Sequence, residues 1–122
     1  MYNNNRRSPE YPYSVTLSVG LAAREFTFQS PNFTTRISHF DISADAADGT
    51  DFPSWNVVIA STTVMSAIVV QAADTVVRTT SFVAGTSDLV PPNTRIKLGL
   101  TIAATVGNVL GLAARLVLIG TN

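Results

Sequence analysis

The segment from Gly99 to Gly120, GLTIAATVGNVLGLAARLVLIG, is the most apolar run of this chain and carries a single charge, on Arg115. Small residues recur in it at every fourth position, a spacing that packed membrane helices use. However, from position 95 to position 106 every even-numbered residue is apolar, whereas only one of the six odd-numbered residues is. Side chains that alternate with a period of two belong to a strand. The segment therefore predicts two β-strands, near 94–106 and 110–119, and not a membrane span.

The even-numbered residues of the second strand, from Leu110 to Leu118, are also apolar. We expect these two strands to form a hairpin. A loop with an odd number of residues would place both apolar rows on one face, and the buried face of a sheet fixes its register. The sequence therefore predicts that Leu100 pairs with Leu116, rather than with Arg115 as a two-residue turn would require.

The rest of the chain has the composition of a sheet protein. Val, Ile and Thr supply 36 of the 122 residues, and these β-branched side chains favour pleated strands over helices. The segment YSVTLSV (13–19) alternates apolar and polar residues, as a half-buried strand does. Regularly spaced strands with short turns predict an all-β fold, either a β-sandwich or a jelly-roll-like arrangement. The further strand candidates are 24–29, 33–42, 55–60, 62–71 and 75–83, of which 62–71 has a pattern that a short buried helix would also give.

One candidate strand, 33–42, has an irregular pattern. Ile37 lies on one parity, whereas Phe40 and Ile42 lie on the other. Because successive side chains of a strand point to opposite faces, this shift would turn part of the apolar set towards solvent. An extra residue in the strand restores the phase, so we expect a β-bulge near His39.

The charge and cysteine content narrows the classes of function. Charged residues make up 13% of the chain and the formal net charge is zero, about half of the usual charged share. Nothing therefore directs the chain to nucleic acid or to an acidic membrane surface, and we expect neither as a partner. The chain has no cysteine, which excludes disulfides and cysteine-ligated metals. A surface with so little charge favours association, so we expect other protein subunits to cover much of it.

No motif for catalysis or cofactor binding is present. His39 is the only histidine, and no Gly-x-Ser-x-Gly elbow accompanies it, so we interpret it as a packing or interface residue. The aspartates Asp41, Asp45, Asp48 and Asp51 lack the alternate-position spacing of an EF-hand calcium loop, and we interpret their segment as a solvated loop. We therefore predict no catalytic residue, no metal and no cofactor, and a protein that is not an enzyme.

Residues 1–12, MYNNNRRSPEYP, differ from the rest of the chain. This segment has three asparagines, two prolines and no aliphatic residue after Met1, so it cannot form a core of its own. We divide the chain into an extended N-terminal arm, 1–12, and a β-sandwich domain, 13–122, and expect the arm to lie against a neighbouring subunit. Tyrosine and arginine are the residue types that anchor protein interfaces. The candidate interface residues are Tyr2, Arg6, Arg7, Tyr11 and Tyr13.

A short, cysteine-free, charge-poor β-sandwich with such an arm resembles the small structural proteins of tailed bacteriophage particles. It is most similar to the head decoration, or cement, proteins, which clamp the outside of a capsid and are often trimers. The resemblance implies a non-enzymatic virion subunit whose partners are copies of itself and a capsid or other virion protein. Coat, tail and adaptor subunits share this outline and stand as alternatives.

A carbohydrate-binding or adhesion module is the alternative from a different class of protein. Such a module presents aromatic side chains in a groove or on a flat exposed face. Trp55 is the only tryptophan and stands near Phe52, so these two residues form the candidate ligand loop. The competing interpretation is that Trp55 packs in the core or in a turn.

Overall fold

The computed structural model describes residues 9–17, 24–44, 54–68, 75–101 and 111–120. All regular secondary structure within these residues is β-strand, as the abundance of β-branched side chains predicts. The strands are β1 (Glu10–Leu17), β2 (Arg24–Gln29), β3 (Thr35–Ser43), β4 (Ser54–Ile59), β5 (Thr62–Ile68), β6 (Val76–Thr79), β7 (Leu89–Val90), β8 (Arg95–Thr101) and β9 (Leu112–Gly120).

These strands form two antiparallel sheets. Sheet A has the order β1-β9-β3-β6, and the short β7 also pairs with β3. Sheet B has the order β2-β8-β4-β5. The all-β prediction is therefore confirmed, and the two sheets form a β-sandwich.

The strand order follows from rolling up one long hairpin. The hairpin β4–β5 lies at its centre, and the flanking strands pair outwards in sequence as β3 with β6, β2 with β8 and β1 with β9. Rolling this ribbon then brings β9 beside β3 and β8 beside β4. Apart from the short β7, which adds a fifth strand to sheet A, two sheets of four strands connected in this way are the topology of a jelly roll, which is the second arrangement that the sequence predicts.

The apolar rows of the sequence line the space between the sheets. In sheet B, Leu98 lies between Phe26 and Val57, and in sheet A, Leu116 lies between Tyr13 and Phe40. Both leucines are completely buried. The remaining buried members of this single core include Ile37, Ile42, Trp55, Ile59, Met65, Ile96, Leu100, Leu112, Ala114 and Leu118.

The predicted hairpin between β8 and β9 is wrong. The two strands lie in different sheets: Leu100 is flanked by Arg24 and Trp55, whereas Leu116 lies in sheet A. Both apolar rows are buried because each faces the core from its own sheet. Their shared even numbering does not make the two strands neighbours. The prediction of strands instead of a membrane span is confirmed for 95–101 and 112–120. Nowhere in the described residues is a helix long and apolar enough to span a membrane.

The irregular strand contains the predicted bulge. The pairing of β3 with β9 shifts between Ile37 and His39, so that Ser38 is the extra residue. This shift allows Ile37, Phe40 and Ile42 all to be buried. The uncertain segment 62–71 is strand over Thr62–Ile68, and its last three residues lie outside the described part.

The structure moves the predicted boundary between arm and domain. Strand β1 begins at Glu10 and pairs with β9 from there on, with Tyr11 opposite Leu118. The boundary at 12/13 therefore falls inside a strand, and residues 10–12 belong to sheet A. Pro12 is tolerated because β1 is an edge strand, where a missing N–H costs no ladder bond. The predicted arm is therefore shortened to residues 1–8. These lie outside the described residues, so the arm stays a prediction.

Candidate functional site

The outward surface of sheet A carries a row of charged side chains. The register places Asp41 of β3 between Arg115 of β9 and Arg78 of β6. His39, two residues before Asp41 on the same strand, reaches the same surface after the bulge at Ser38. We call His39, Asp41, Arg78 and Arg115 the charged cluster.

Asp41 and Arg78 form a two-pronged ion pair at the centre of this cluster. Arg78 Nε donates to Asp41 Oδ1 and Arg78 Nη2 donates to Asp41 Oδ2, both over 2.9 Å. The aspartate side chain is 14% exposed, whereas the arginine side chain is 61% exposed. These hydrogen bonds hold the pKa of Asp41 below its ordinary value, with smaller contributions from the charges of His39 and Arg115. Asp41 is therefore an anion at neutral pH and its charge is already matched.

His39 is held by its two neighbours on β3. Its Nδ1 lies 2.9 Å from Ser38 Oγ, and its Nε2 lies 3.6 Å from Asp41 Oδ2. Ser38, His39 and Asp41 therefore lie close together along β3, but both oxygens of Asp41 accept hydrogen bonds from Arg78. The 3.6 Å between His39 Nε2 and Asp41 Oδ2 is too long for the hydrogen bond with which a catalytic aspartate orients its imidazole. The geometry fits the interpretation of His39 as a structural residue.

The segment with four aspartates, which the sequence predicts to be a solvated loop, is described only at Asp41. Asp41 lies on a strand and is paired with Arg78, while Asp45, Asp48 and Asp51 lie outside the described residues. Within the described ranges, no group of three or more His, Asp or Glu side chains is placed to hold a metal ion.

Next to the charged cluster, a groove of about 280 Å³ crosses sheet A. Arg115 lies in it, and the hydroxyl-bearing side chains of Ser14, Thr16 and Ser43 line it. Unlike that of Arg78, the Arg115 side chain forms no hydrogen bond and no ion pair with any described residue. The groove thus combines a guanidinium without an ion pair, three hydroxyl groups, the Asp41 carboxylate and an apolar remainder.

Two predicted interface residues pack on their own domain instead. The Tyr11 ring contacts Phe33 edge-on, with ring centres 5.5 Å apart, and Tyr13 packs on Phe28 at 5.3 Å. The Tyr13 hydroxyl donates to the Gln29 carbonyl over 3.1 Å, and burial raises its pKa. Pro9 and Tyr11 thus contact their own domain, whereas the sequence predicts that the whole arm, 1–12, lies against a neighbouring subunit. The other three candidates, Tyr2, Arg6 and Arg7, lie outside the described residues.

The candidate ligand loop does not present Trp55 to solvent. Trp55 lies in β4, is 1% exposed and packs towards Phe26, with ring centres 6.2 Å apart. A buried ring cannot form a platform for a sugar, so the structure corrects this interpretation in favour of core packing. Phe52 lies outside the described residues.

Sequence reasoning missed the pairing of Asp41 with Arg78 and the groove beside Arg115. The residues that meet there come from four strands, and Asp41 and Arg78 are 37 positions apart. Alternation shows that each of them points away from the core, but not which strands are neighbours. The strand order was the missing information.

The comparisons with known proteins are sparse. No protein-family model matches the chain, and no curated protein matches its sequence. A solved structure of the infectious bursal disease virus Gx strain is similar over 94% of this chain and 31% of its own, at 12% identity and a TM-score of 0.41. A structure of the Gt strain is similar over 92% and 40%, at 9% identity and a TM-score of 0.29. The chain thus spans 31% and 40% of those two chains, and neither TM-score reaches the level that supports an argument from likeness.

Proposed function

We propose that this chain is a non-enzymatic structural subunit of a virus particle, of the decoration or cement class that attaches to a capsid. The observation that carries the proposal is the jelly-roll strand order, with sheets β1-β9-β3-β6 and β2-β8-β4-β5. Jelly rolls are the architecture of viral capsid domains, and also of lectins and cupins. A fold alone does not decide between these functions, so the interior and the surface must be considered.

The interior of the sandwich supports a structural function over a ligand-binding one. Small-molecule sites are concave and retain a few polar groups aimed at the ligand. Here the space between the sheets is filled by one cluster of buried apolar side chains. The only histidine of the chain, His39, points outward from sheet A and lies 3.6 Å from Asp41 without a hydrogen bond to it. Trp55, the aromatic residue that a sugar site would use, belongs to this core.

The outward surface of sheet A supports contact with other protein subunits. Val76 and Leu89 lie on it, 60% and 42% exposed, beside the polar residues Ser43 and Arg36 in register. Apolar side chains among polar ones are typical of non-obligate interfaces. Many weak contacts of this kind attach a multivalent subunit firmly, because each contact raises the effective concentration of the next.

The test is attachment and self-association of the purified protein. We expect the full chain to form oligomers whose mass rises with concentration in sedimentation experiments, and to occupy repeated positions on particles of its source virus in electron microscopy. A protein that stays monomeric at millimolar concentration, attaches to no particle and binds glycans would contradict the proposal. If the protein instead occupies positions within the capsid shell or in the tail, it is a coat or tail subunit, which are two of the alternative virion functions.

A further inference from the structure

Among the described arginines of sheet A, Arg115 is the one that forms no ion pair with a described residue. Arg36 and Arg78 of sheet A pair with Asp88 and Asp41, whereas on sheet B Lys97 pairs with Glu25 and neither Arg24 nor Arg95 forms an ion pair with a described residue. Arg115 lies directly opposite Asp41 and its charge acts on that carboxylate, but the two side chains form no ion pair. Both oxygens of Asp41 accept hydrogen bonds from Arg78, so the charge of this carboxylate is already matched without Arg115. A guanidinium in this situation is ready to bind an anion from outside the domain.

The walls of the groove suit a small anion. Ser14 and Thr16 of β1 lie on one side of Arg115 and Ser43 of β3 lies on the other. Hydroxyl groups can donate hydrogen bonds to an oxyanion, and a guanidinium offers a fixed fork of N–H donors that matches two oxygens. Asp41, already paired with Arg78, also lines the groove. The rest of the lining is apolar and comes from Val15, Ile42, Val76, Ala113 and Ala114, so the groove also accepts the methylene group of a side chain.

The charge of the groove favours a single negative charge. Asp41 and Arg115 line the groove, and Arg78 lies next to it, paired with Asp41. Because that pair is neutral, the charged cluster keeps the one positive charge of Arg115 when His39 is neutral. A carboxylate balances this charge, whereas a doubly charged phosphate would exceed it. Because the groove is open at the surface of the sheet, a side chain on another protein can reach it.

We propose that the groove beside Arg115 is a recognition site for the side-chain carboxylate of a neighbouring protein subunit. This inference deepens the proposed function, and rests on it for the source of the carboxylate. The chemistry of the site itself does not depend on any particle. It can therefore be tested on the isolated protein.

The experiment is a titration of the isolated chain, followed by NMR of the arginine Nε–H and backbone amide signals. The probes are N-acetyl-glutamate amide, whose only charge is its side-chain carboxylate, and inorganic phosphate, each exchanged for chloride at constant ionic strength. We expect the signals of Arg115 and Ser43 to shift and saturate with the carboxylate. Arg24 is the matched control, since it is an exposed arginine on sheet B without an ion pair to a described residue. Its signal should shift little and without saturation.

Variants make the outcome decisive. Arg115→Gln should weaken the apparent affinity for the carboxylate at least tenfold, Arg115→Lys should weaken it less, and Arg24→Gln should leave it unchanged. Arg115 is exposed, so these variants should keep the native amide spectrum. Equal responses at Arg115 and Arg24, or tighter binding of phosphate than of the carboxylate, would overturn the site. Because no particle takes part, that result would leave the proposed function untouched. Conversely, saturation in a protein that never attaches to particles would retain the site and reject the proposed source of its ligand.

Discussion

At the scale of single residues, Gly99 shows how a side chain on one strand fixes the residue type on the next. Gly99 of β8 lies opposite Asn56 of β4, and a Cβ atom at Gly99 would overlap Asn56 Oδ1. The backbone of Gly99 has no positive φ angle, so a larger residue is disfavoured by space and not by conformation, and the Asn56 side chain must rotate to admit it. The alternation of the sequence identifies Gly99 as outward-facing, but the need for a glycine there becomes clear only from the neighbouring strand.

We therefore expect Gly99→Ala to destabilise the domain by about 1–3 kcal/mol, the usual cost of overpacking. Asn56 Oδ1 is buried without a hydrogen-bond partner, so Asn56→Ala should cost little by itself. In the Asn56→Ala background, the penalty of Gly99→Ala should fall by more than half, as measured by urea unfolding in a double-mutant cycle. An unchanged penalty would show that the overlap with Asn56 is not its cause.

The Asp41–Arg78 ion pair leads to a second prediction, which concerns how the stability of the domain depends on pH. The pKa of Asp41 is lowered in the folded chain by its hydrogen bonds to Arg78, so its anionic form stabilises the native state. That contribution is complete above the unfolded-state pKa of about 3.9 and is lost as the pH falls through the lower folded-state value. Asp41→Asn should thus be less stable than wild type at neutral pH, with a difference that shrinks below about pH 4. Urea unfolding of both proteins at several pH values measures this difference, and a constant gap would contradict it.

At the scale of secondary-structure elements, the turn between β4 and β5 contains backbone strain. Ala60 and Ser61 have φ angles of 49° and 73°, in the left-handed region that two-residue hairpin turns require. Asparagine and glycine adopt this region with little loss of free energy, whereas it strains the backbone of alanine and serine. This explains why the sequence did not identify the hairpin: its turn lacks the Asn-Gly signature, and the segment 62–71 could be read as a helix.

Replacing these two residues should stabilise the domain. We expect Ala60→Asn with Ser61→Gly to raise the free energy of unfolding by about 1 kcal/mol, because both residues tolerate a positive φ. Ala60→Val is the matched control and should lower it, since a β-branched residue is strained there. Thermal unfolding measures both effects. Equal stability of the two variants would show that the turn relaxes to another conformation.

Alternation predicts which residues of an element are buried, but not which element lies beside it. The even rows of β8 and β9 were correctly assigned to the core, and the bulge at Ser38 was located from a shift of phase. The pairing of Leu100 with Leu116 was wrong, because a buried row can face its counterpart across the sandwich as well as lie next to it. The start of β1 was missed because Pro12 interrupts the pattern, although Tyr11 shares the parity of the buried Val15.

The corrected start of β1 changes what truncation should do. Deleting residues 1–8 removes none of the pairs between β1 and β9, so we expect the thermal midpoint of the isolated domain to stay nearly the same. Deleting residues 1–12 also removes the Tyr11 ring and its pairing with Leu118, and should destabilise the domain by about 2 kcal/mol. If both deletions are equally destabilising, residues 1–8 contribute to the fold and the predicted arm does not exist.

At the scale of the whole molecule, the two outward surfaces of the sandwich differ in their exposed apolar side chains. Sheet A presents Val76 and Leu89 together with the charged cluster and the groove. At comparable positions, sheet B presents the exposed threonines Thr27 and Thr63. If the chain is a structural subunit, its contacts with other subunits should concentrate on sheet A. This asymmetry was not predictable from the sequence, because it depends on which strands share a sheet.

Paired substitutions on the two surfaces test this asymmetry directly. Val76→Asp with Leu89→Asp introduces two charges on sheet A, and Thr27→Asp with Thr63→Asp introduces two on sheet B. All four positions are exposed, so each double variant should change the stability of the monomer by no more than about 1 kcal/mol. We expect the sheet A variant to weaken self-association or attachment to particles at least tenfold in sedimentation experiments, since it places charges in an apolar contact. The sheet B variant should associate like wild type. Equal losses in both variants would mean that added charge alone opposes assembly, and a loss confined to sheet B would place the interface on the other surface.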